Sequence, residues 1–329
     1  MTTNNPQSAL PGTTHSASPA VSVLVPAKDE AENLPPFMEQ CDEVFRTRPE
    51  QYEVIVINDG STDGSAKVLE TLSAKYPFLR VITHRSQRGI ADALRSGFLA
   101  ARSDVMVFFP ADLQFKPEDI PRLVAPILAG ESDMVTGYKQ GAYEKAFVSG
   151  IYNKLSRTLF HVPVRDLNNV KAYRREIMED QPVRPDWHRY MIVLAAAQGY
   201  TVTEIPVPLY PRHAGKSKFG ISRIPIGVID MLAVWFELRF GRKPLLAFGM
   251  VGAALFAIGF VAGIGNLVMI ATNNGLFAVR SVWTIIQTCL ILGSIFFATG
   301  LLGEQIAVLR SEQRELHRLL DERRAPRDG

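Results

Sequence analysis

Val21-Ser22-Val23-Leu24-Val25 is a short apolar run stopped by Pro26, and the polar group Lys28-Asp29-Glu30 follows it. A brief run without alternation, closed by a breaker, predicts a strand buried on both faces, as in a parallel sheet. Three more runs follow. Glu53-Val54-Ile55-Val56-Ile57 ends in the turn residues Asn58-Asp59-Gly60-Ser61, Leu79-Arg80-Val81-Ile82 is shorter, and Asp104-Val105-Met106-Val107-Phe108-Phe109 ends at Pro110. Helical stretches over 31–48, 62–75 and 89–102 separate them. Strand alternating with helix predicts an α/β domain with a mainly parallel sheet flanked by helices. In such sheets ligands bind at the carboxyl ends of the strands. The polar residues collect there: Lys28 to Glu30, Asn58 and Asp59, and Asp112 to Gln114.

The middle third is less regular, with a strand expected at Asp133–Gly137, a helix over 144–160 and an extended, proline-interrupted stretch from Val202 to Pro208. Residues 219–244 carry Ile224, Ile226, Val228, Ile229, Leu232, Val234, Trp235 and Phe236 between flanking basic residues. They are expected as amphipathic helices lying in a membrane interface, with a buried core helix as the rival reading. Leu245 to Ala271 has no charged residue, and neither has Val282 to Gly303. Each run exceeds the about 20 residues that cross a bilayer, and uncharged runs this long are rare in the buried helices of soluble folds. Arg239, Arg242 and Lys243 precede the pair, and Arg310, Arg314, Arg318, Arg323 and Arg324 follow it. The positive-inside rule then puts the α/β domain and both termini in the cytoplasm, with the short loop 272–281 outside. This makes a multi-pass protein of the cell inner membrane.

The whole-chain figures agree. The chain has 329 residues, 47% of them hydrophobic, and a net charge of +3 without one long basic block, so nucleic acid is not an expected partner. Two cysteines, Cys41 and Cys289, make neither a disulfide framework nor a metal cluster. Residues 1–20 are rich in Ser, Thr, Pro and Asn and read as a disordered tail. The divisions expected are therefore 1–20 (tail), 21–218 (α/β domain), 219–244 (interfacial helices), 245–303 (transmembrane hairpin) and 304–329 (polar helix). In the last, Ile306, Leu309, Leu316, Leu319 and Leu320 space out a short seam for homo-oligomerisation, although a solvated helix is the commoner outcome of such a pattern.

Three groups carry chemistry. Asp112-Leu113-Gln114 follows a buried strand, where oxygen ligands can hold Mg²⁺ or Mn²⁺ and so stabilise a departing diphosphate; a turn or helix cap is the bland reading. Asp59 can accept hydrogen bonds from a base or ribose, or cap the next helix, and capping is preferred for Asp63. Arg212-His213-Ala214-Gly215-Lys216-Ser217-Lys218 is a compact cationic loop suited to a phosphate, lying just before the membrane-directed segment. A solvated basic turn is its alternative.

In order and spacing these blocks resemble the family-2 glycosyltransferases, and among them the polyprenyl-phosphate glycosyltransferases related to dolichol-phosphate mannose synthase, with a two-span tail like the bacterial members. The resemblance runs from Val21 to Lys218. It rests on Val25 to Leu34, Asn58 to Asp63, Arg88-Gly89 with Ala91 and Gly97, Ala111 to Gln114 with Pro117-Glu118, Asp166 with Lys171 to Arg175, Glu204 to Val207, and Arg212 to Lys218. It implies a GT-A-type fold and an inverting transfer of a hexose from a UDP- or GDP-sugar to an undecaprenyl- or dolichyl-type phosphate, with UDP preferred, at the cytoplasmic membrane face. By position Pro26, Lys28, Glu30, Asp59, Ala111, Asp112, Gln114 and Lys139 would bind the nucleotide-sugar. Asp112 and Gln114 would hold the divalent cation, and Arg212, Ser217 and Lys218 would bind phosphate. Asp112, Asp166 and Lys171 would be catalytic. The chain departs from the family pattern at Pro110, where an aspartate is usual, at Lys28, where an aromatic is common, and at Asn168-Asn169-Val170. A processive transferase would carry a later Gln-x-x-Arg-Trp block, absent here. A degenerate transferase serving as a membrane scaffold has Pro110 as its support.

Overall fold

In a computed structural model, residues 19–140, 158–160, 162, 164–167, 169–179, 187–214, 224–241, 243–272 and 279–324 are described. The chain divides into two units, Met1–Asp230 and Met231–Gly329. In the first, strands β1 (Val21–Ala27), β2 (Tyr52–Asp59), β3 (Leu79–His84), β4 (Val105–Phe108), β5 (Met134–Gln140), β6 (Lys171–Arg174) and β7 (Val202–Pro208) form one sheet in the order β3-β2-β1-β4-β6-β5-β7. All neighbours are parallel except β6, which runs antiparallel to both β4 and β5. The sequence reading found the parallel strands. It did not find β6, which has two cations among its four residues.

Helices cover both faces: α1 (Leu34–Phe45), α2 (Ser65–Lys75) and α4 (Ile120–Leu128) on one, and α3 (Ile90–Ala100), α5 (Arg175–Glu179) and α6 (Met191–Ala197) on the other. Strand alternation divides the core accordingly. Val21, Val23 and Val25 join Leu34, Phe37 and Leu123, while Leu24, Ile55 and Met106 join Leu94, Ile177 and Ile192. Burying each such side chain contributes about 1.5–3 kcal/mol. Helix α1 starts at Leu34, because Pro35 and Pro36 suit a first helical turn, where their missing N–H groups cost nothing. Ser22, polar within an apolar strand, donates to Glu53 Oε1 at 2.6 Å, and Arg80 Nη1 reaches Glu53 Oε2 at 3.0 Å. This network pins β1 to β2 near their amino ends. It leaves the carboxyl ends for ligands.

The strand order reverses at β1: β2 and β3 lie to one side, β4 to the other. The loops after β1 and β4 therefore open a crevice at the carboxyl edge of the sheet.

In the second unit, α8 (Pro244–Ala271) and α9 (Val279–Arg324) are long and apolar enough to cross a membrane over 244–271 and 282–313. They pack through small residues. A Cβ on Gly252 would lie 2.6 Å from Phe297 N and 2.7 Å from Gly293 O, so the backbones touch there. Glu304 Oε2 accepts the Leu245 N–H at 3.3 Å, satisfying one of the donors left open at the start of α8. The second apolar run and the polar tail expected after it form one continuous helix of 46 residues. At about 1.5 Å per residue it is longer than the about 30 Å of a bilayer core.

The stretch 219–244, where interfacial helices are expected, is described over 224–241 and 243–244. Among the described residues this stretch holds one helix, α7 (Ile224–Phe240), which spans the junction of the two units. Gly227, Met231 and Val234 are buried, yet Ile229, Leu232 and Leu238 are exposed. Asp230 and Glu237, seven residues apart, share one side of this helix, and Arg239 lies on the opposite side. The helix expected over 144–160 lies outside the described residues up to 157, and 158–160 are helical.

Candidate active site

Two loops are laced together beside the crevice. Lys28 Nζ donates to Gly60 O at 2.9 Å and pairs with Asp29 at 2.9 Å. Asp29 Oδ1 accepts the Thr62 N–H at 2.7 Å, and Asp29 N–H donates to Ser61 Oγ at 2.9 Å. The bond from Lys28 and that from Thr62 pull the Asp29 carboxyl down to about 2. Glu30 N–H donates to Ser65 Oγ at 3.0 Å, and Glu30 Oε2 accepts from Asn33 Nδ2 at 2.6 Å. Asp63, for which capping is preferred from sequence, accepts the Ser65 N–H at 2.9 Å and the Ala31 N–H at 3.1 Å, while the N-cap position of α2 is Gly64, without a side-chain cap. Pro26 is half-buried at the end of β1, in register with Ile57.

Asp59 is buried and already holds three donors. Its Oδ1 meets His84 Nδ1 at 2.8 Å and the Arg88 N–H at 2.9 Å, and its Oδ2 accepts the Gly89 N–H at 2.8 Å. His84 Nε2 in turn lies 2.9 Å from Ser96 Oγ. Asp59 thus moulds the loop 85–89 against β2. Sequence reasoning missed His84 and Ser96. The signal available was register, since Asp59 and His84 end two adjacent parallel strands as paired residues.

The turn after β4 is strained. Leu113 is buried with φ 57°, a left-handed conformation rare for a side chain of its size. This turns Asp112 and Gln114 toward one point. Arg212 Nη2 lies there, 2.9 Å from Asp112 Oδ2 and 3.1 Å from Gln114 Oε1. Burial raises the Asp112 carboxyl above its ordinary range; Arg212 and the Gln114 N–H oppose the rise, and Glu30 adds to it. Ala111 is buried in the apolar cluster, so its polar groups are those of the backbone. Among the described residues no group of three His, Cys, Asp or Glu could hold a metal. A metal here would therefore rest on hard oxygens from one carboxylate and one carboxamide. That set suits Mg²⁺ or Mn²⁺ in type and leaves most positions to waters or phosphate.

A second polar group sits where β6 enters the sheet. The register Phe108↔Lys171↔Thr136↔Glu204 lines these side chains across β4, β6, β5 and β7. Lys171 is only 1% exposed, with Nζ 5.7 Å from the Phe108 ring and 3.4 Å from Leu167 O. Burial pushes its ammonium down to about 8, with Asp166 acting against the fall. Asp166 pairs with Lys139 at 3.2 Å. Glu204 Oε1 accepts the backbone N–H of Arg165 and, at 3.4 Å, that of Asp166. Burial raises the Glu204 carboxyl. Of the expected phosphate-binding residues, Arg212 lies against Asp112, while Ser217 and Lys218 fall outside the described residues.

Residues 22–178 match the model of Glycosyl transferase family 2. The chain is 29% identical to the undecaprenyl-phosphate 4-deoxy-4-formamido-L-arabinose transferase of Pseudomonas fluorescens, over 92% of this chain and 89% of that protein. It is 26% identical to the dodecaprenyl-phosphate galacturonate synthase of Rhizobium johnstonii, over 87% of each. In fold it is similar to glucosyl-3-phosphoglycerate synthase of Mycobacterium tuberculosis, solved with Mn²⁺, UDP-glucose and phosphoglyceric acid, at a TM-score of 0.55 and 18% identity over 70% of this chain and 85% of that one. The same protein with Mg²⁺ and UDP gives a TM-score of 0.53 at 19% identity, over 70% and 84%.

Proposed function

We propose that this chain, whose residues 22–178 match Glycosyl transferase family 2 and whose fold is of GT-A type, is a glycosyltransferase that moves a sugar from a nucleotide-sugar onto a polyprenyl phosphate at the cytoplasmic membrane face. One observation carries the reading. The relatives named for polyprenyl-phosphate sugar transfer align along about nine-tenths of both chains, so the likeness extends through the apolar helices as well as the sheet. The site supports it. One carboxylate, a carboxamide and a guanidinium converge beyond β4, where a diphosphate would lie.

In this reading the loops after β1 and β2, held by Lys28, Glu30 and Asp59 with Pro26 at their base, form the wall for the nucleoside. Asp59 acts there by fixing the loop 85–89. Ala111, Asp112, Gln114 and Lys139 line the sugar diphosphate, and Asp112 with Gln114 would hold a divalent cation. That cation, when bound, supplies Lewis-acid stabilisation of the leaving diphosphate. An oxygen of the acceptor phosphate forms the new bond to the anomeric carbon as the bond to the diphosphate oxygen breaks, and the electron pair leaves with the nucleoside diphosphate. Attack from the opposite side inverts the anomeric centre. The acceptor is already anionic near neutral pH, so the chain has little proton transfer to do. Lys171 and Asp166 set the charge around the reacting phosphate, and Arg212, Ser217 and Lys218 hold phosphate. Arg239, Lys243 and Arg310 at the ends of the apolar helices support a cytoplasmic sheet domain.

The test is transfer in detergent with undecaprenyl phosphate, Mn²⁺ or Mg²⁺, and a panel of UDP- and GDP-sugars. The expected result is metal-dependent transfer from one donor to the lipid. Folded protein that transfers from no donor would overturn the reading and favour a scaffold with Pro110 as its mark.

A further inference from the structure

Arg212 is not a loose surface arm. Its segment is tied to the Asp112 turn by two backbone bonds, Tyr210 N–H to Gln114 O at 2.9 Å and His213 N–H to Asp112 O at 3.4 Å. Lys116 lies over the Tyr210 ring at 4.2 Å, and Asn33 Nδ2 donates to Ala214 O at 3.4 Å. Held this way, a single nitrogen, Nη2, touches both Asp112 Oδ2 and Gln114 Oε1. Those are the two oxygens that the proposed function gives to a divalent cation. A guanidinium and a metal ion compete for them, since both are positive and the side chains supply one negative charge between them. Pro110, standing where a second carboxylate would help, sharpens the conflict. The nearby carboxylate of Glu30 is engaged by Asn33.

We propose that Arg212 is the resident counter-cation of the Asp112–Gln114 pair, so that the nucleotide-free protein holds a divalent cation poorly and the cation enters together with the donor diphosphate. The diphosphate resolves the conflict in two ways. Its oxygens complete the coordination that one carboxylate and one carboxamide leave open. They also offer the guanidinium a bidentate anionic partner in exchange for Asp112. Arg212 thereby passes from the metal-binding oxygens to the phosphate and couples the two binding events. Each ligand strengthens the other by the same factor. The proposal rests on the reading of Asp112 and Gln114 as the metal-binding pair.

The experiment measures Mn²⁺ bound to the detergent-solubilised full chain by electron paramagnetic resonance of free Mn²⁺, with and without UDP. The proteins compared are the wild type, Arg212→Ala, Arg212→Gln and Asp112→Asn, each checked for fold by circular dichroism. Wild type is expected to bind Mn²⁺ weakly alone and at least about tenfold more tightly with UDP. The two neutral Arg212 variants are expected to bind Mn²⁺ alone about tenfold more tightly than wild type, since a cation beside the metal has been removed, and to gain less from UDP. Arg212→Gln keeps the side-chain bulk and serves if the alanine variant does not fold. If Asp112→Asn binds Mn²⁺ with UDP as the wild type does, the metal-site reading itself falls. If Asp112→Asn loses that binding while both folded Arg212 variants bind Mn²⁺ alone no more tightly than wild type, the counter-cation role is overturned and the metal site stands.

Discussion

Replacing Lys171 by Met should stabilise the sheet domain while abolishing transfer. Lys171 sits on β6 between β4 and β5 and is 1% exposed. Burial lowers its ammonium from the ordinary 10.5 to about 8. At ~1.4 kcal/mol per pH unit this means that keeping the lysine charged costs roughly 3–4 kcal/mol. Methionine fills a similar volume without that charge. Among its contacts it gives up a 3.4 Å bond to Leu167 O, the attraction of the Phe108 ring at 5.7 Å and that of Asp166. Asp166 keeps Lys139 at 3.2 Å. A net gain of about 1–3 kcal/mol is expected near pH 7. The pH dependence follows from proton counts. Below pH 8 the lysine is protonated in both states and the cost is complete. Between about 8 and 10.5 the unfolded chain keeps a proton that the folded chain has released, so wild-type stability rises with pH. The advantage of the variant should therefore be largest near neutral pH and shrink across that window. Denaturant titration of the detergent-solubilised chain, followed by circular dichroism at about pH 7 and about pH 9.5, measures both terms. A variant less stable than wild type at neutral pH, or an advantage that ignores pH, would refute the reasoning. Loss of transfer alongside the gain would mark a charge kept for function at the expense of stability.

Three further substitutions test the frame around the site. Gly60→Ala meets both a φ of 63° and the backbone of Ser86 and Gln87, 2.5 Å from the new Cβ; since neither atom can swing aside, UDP affinity measured by titration should fall about tenfold as the loop 85–89 shifts, at a strain of about 1–3 kcal/mol. Glu204→Ala frees the backbone N–H groups of Arg165 and Asp166; kcat should drop about tenfold with the donor KM little changed, and Glu204→Gln, which keeps an acceptor oxygen, should recover most of the loss. Gly252→Leu drives a side chain into Phe297 and Gly293, and should lower the thermal midpoint of the helical signal in detergent by several degrees, corresponding to at least about 2 kcal/mol.

The early strands were legible because their physics is local. Four apolar runs bounded by Pro, Asn, Asp and Gly leave few alternatives to a parallel sheet, and β1 to β4 lie where those runs are. The parts that escaped break a local rule under tertiary pressure. Helix α4 contains Pro126, which should interrupt it, yet it lies only two residues from the last helical residue, Leu128, and Ile120, Leu123, Val124 and Ile127 are buried in the core. Strand β6 has cations at Lys171 and Arg174, and its place is decided by the gap between β4 and β5 rather than by its own propensity. Of the candidate site, the strand-end residues could be read from the rule that parallel sheets bind at their carboxyl ends. The partners of those residues could not. Gln114 and Arg212 are 98 positions apart, and no pattern within the chain records that one nitrogen would serve two oxygens.

Backbone strain points to the same crevice independently of any side-chain chemistry. Among the described residues two that are not glycine have positive φ, Asp29 at 51° and Leu113 at 57°. They follow β1 and β4, the adjacent strands at which the sheet order reverses. Each such conformation costs on the order of 1 kcal/mol, and persists only where the surroundings over-determine it. At Asp29 the surroundings are Lys28, Ser61 and Thr62, which fix its carboxylate and amide. At Leu113 they are a buried apolar side chain and the paired turn of Tyr210 to His213. A glycine at either position would relieve the backbone, but at Leu113 it would also surrender the burial that aims Asp112 and Gln114 at a common point. The chain therefore holds its strain where two loops must present polar groups to one ligand, and the core beneath supplies the stability that allows it.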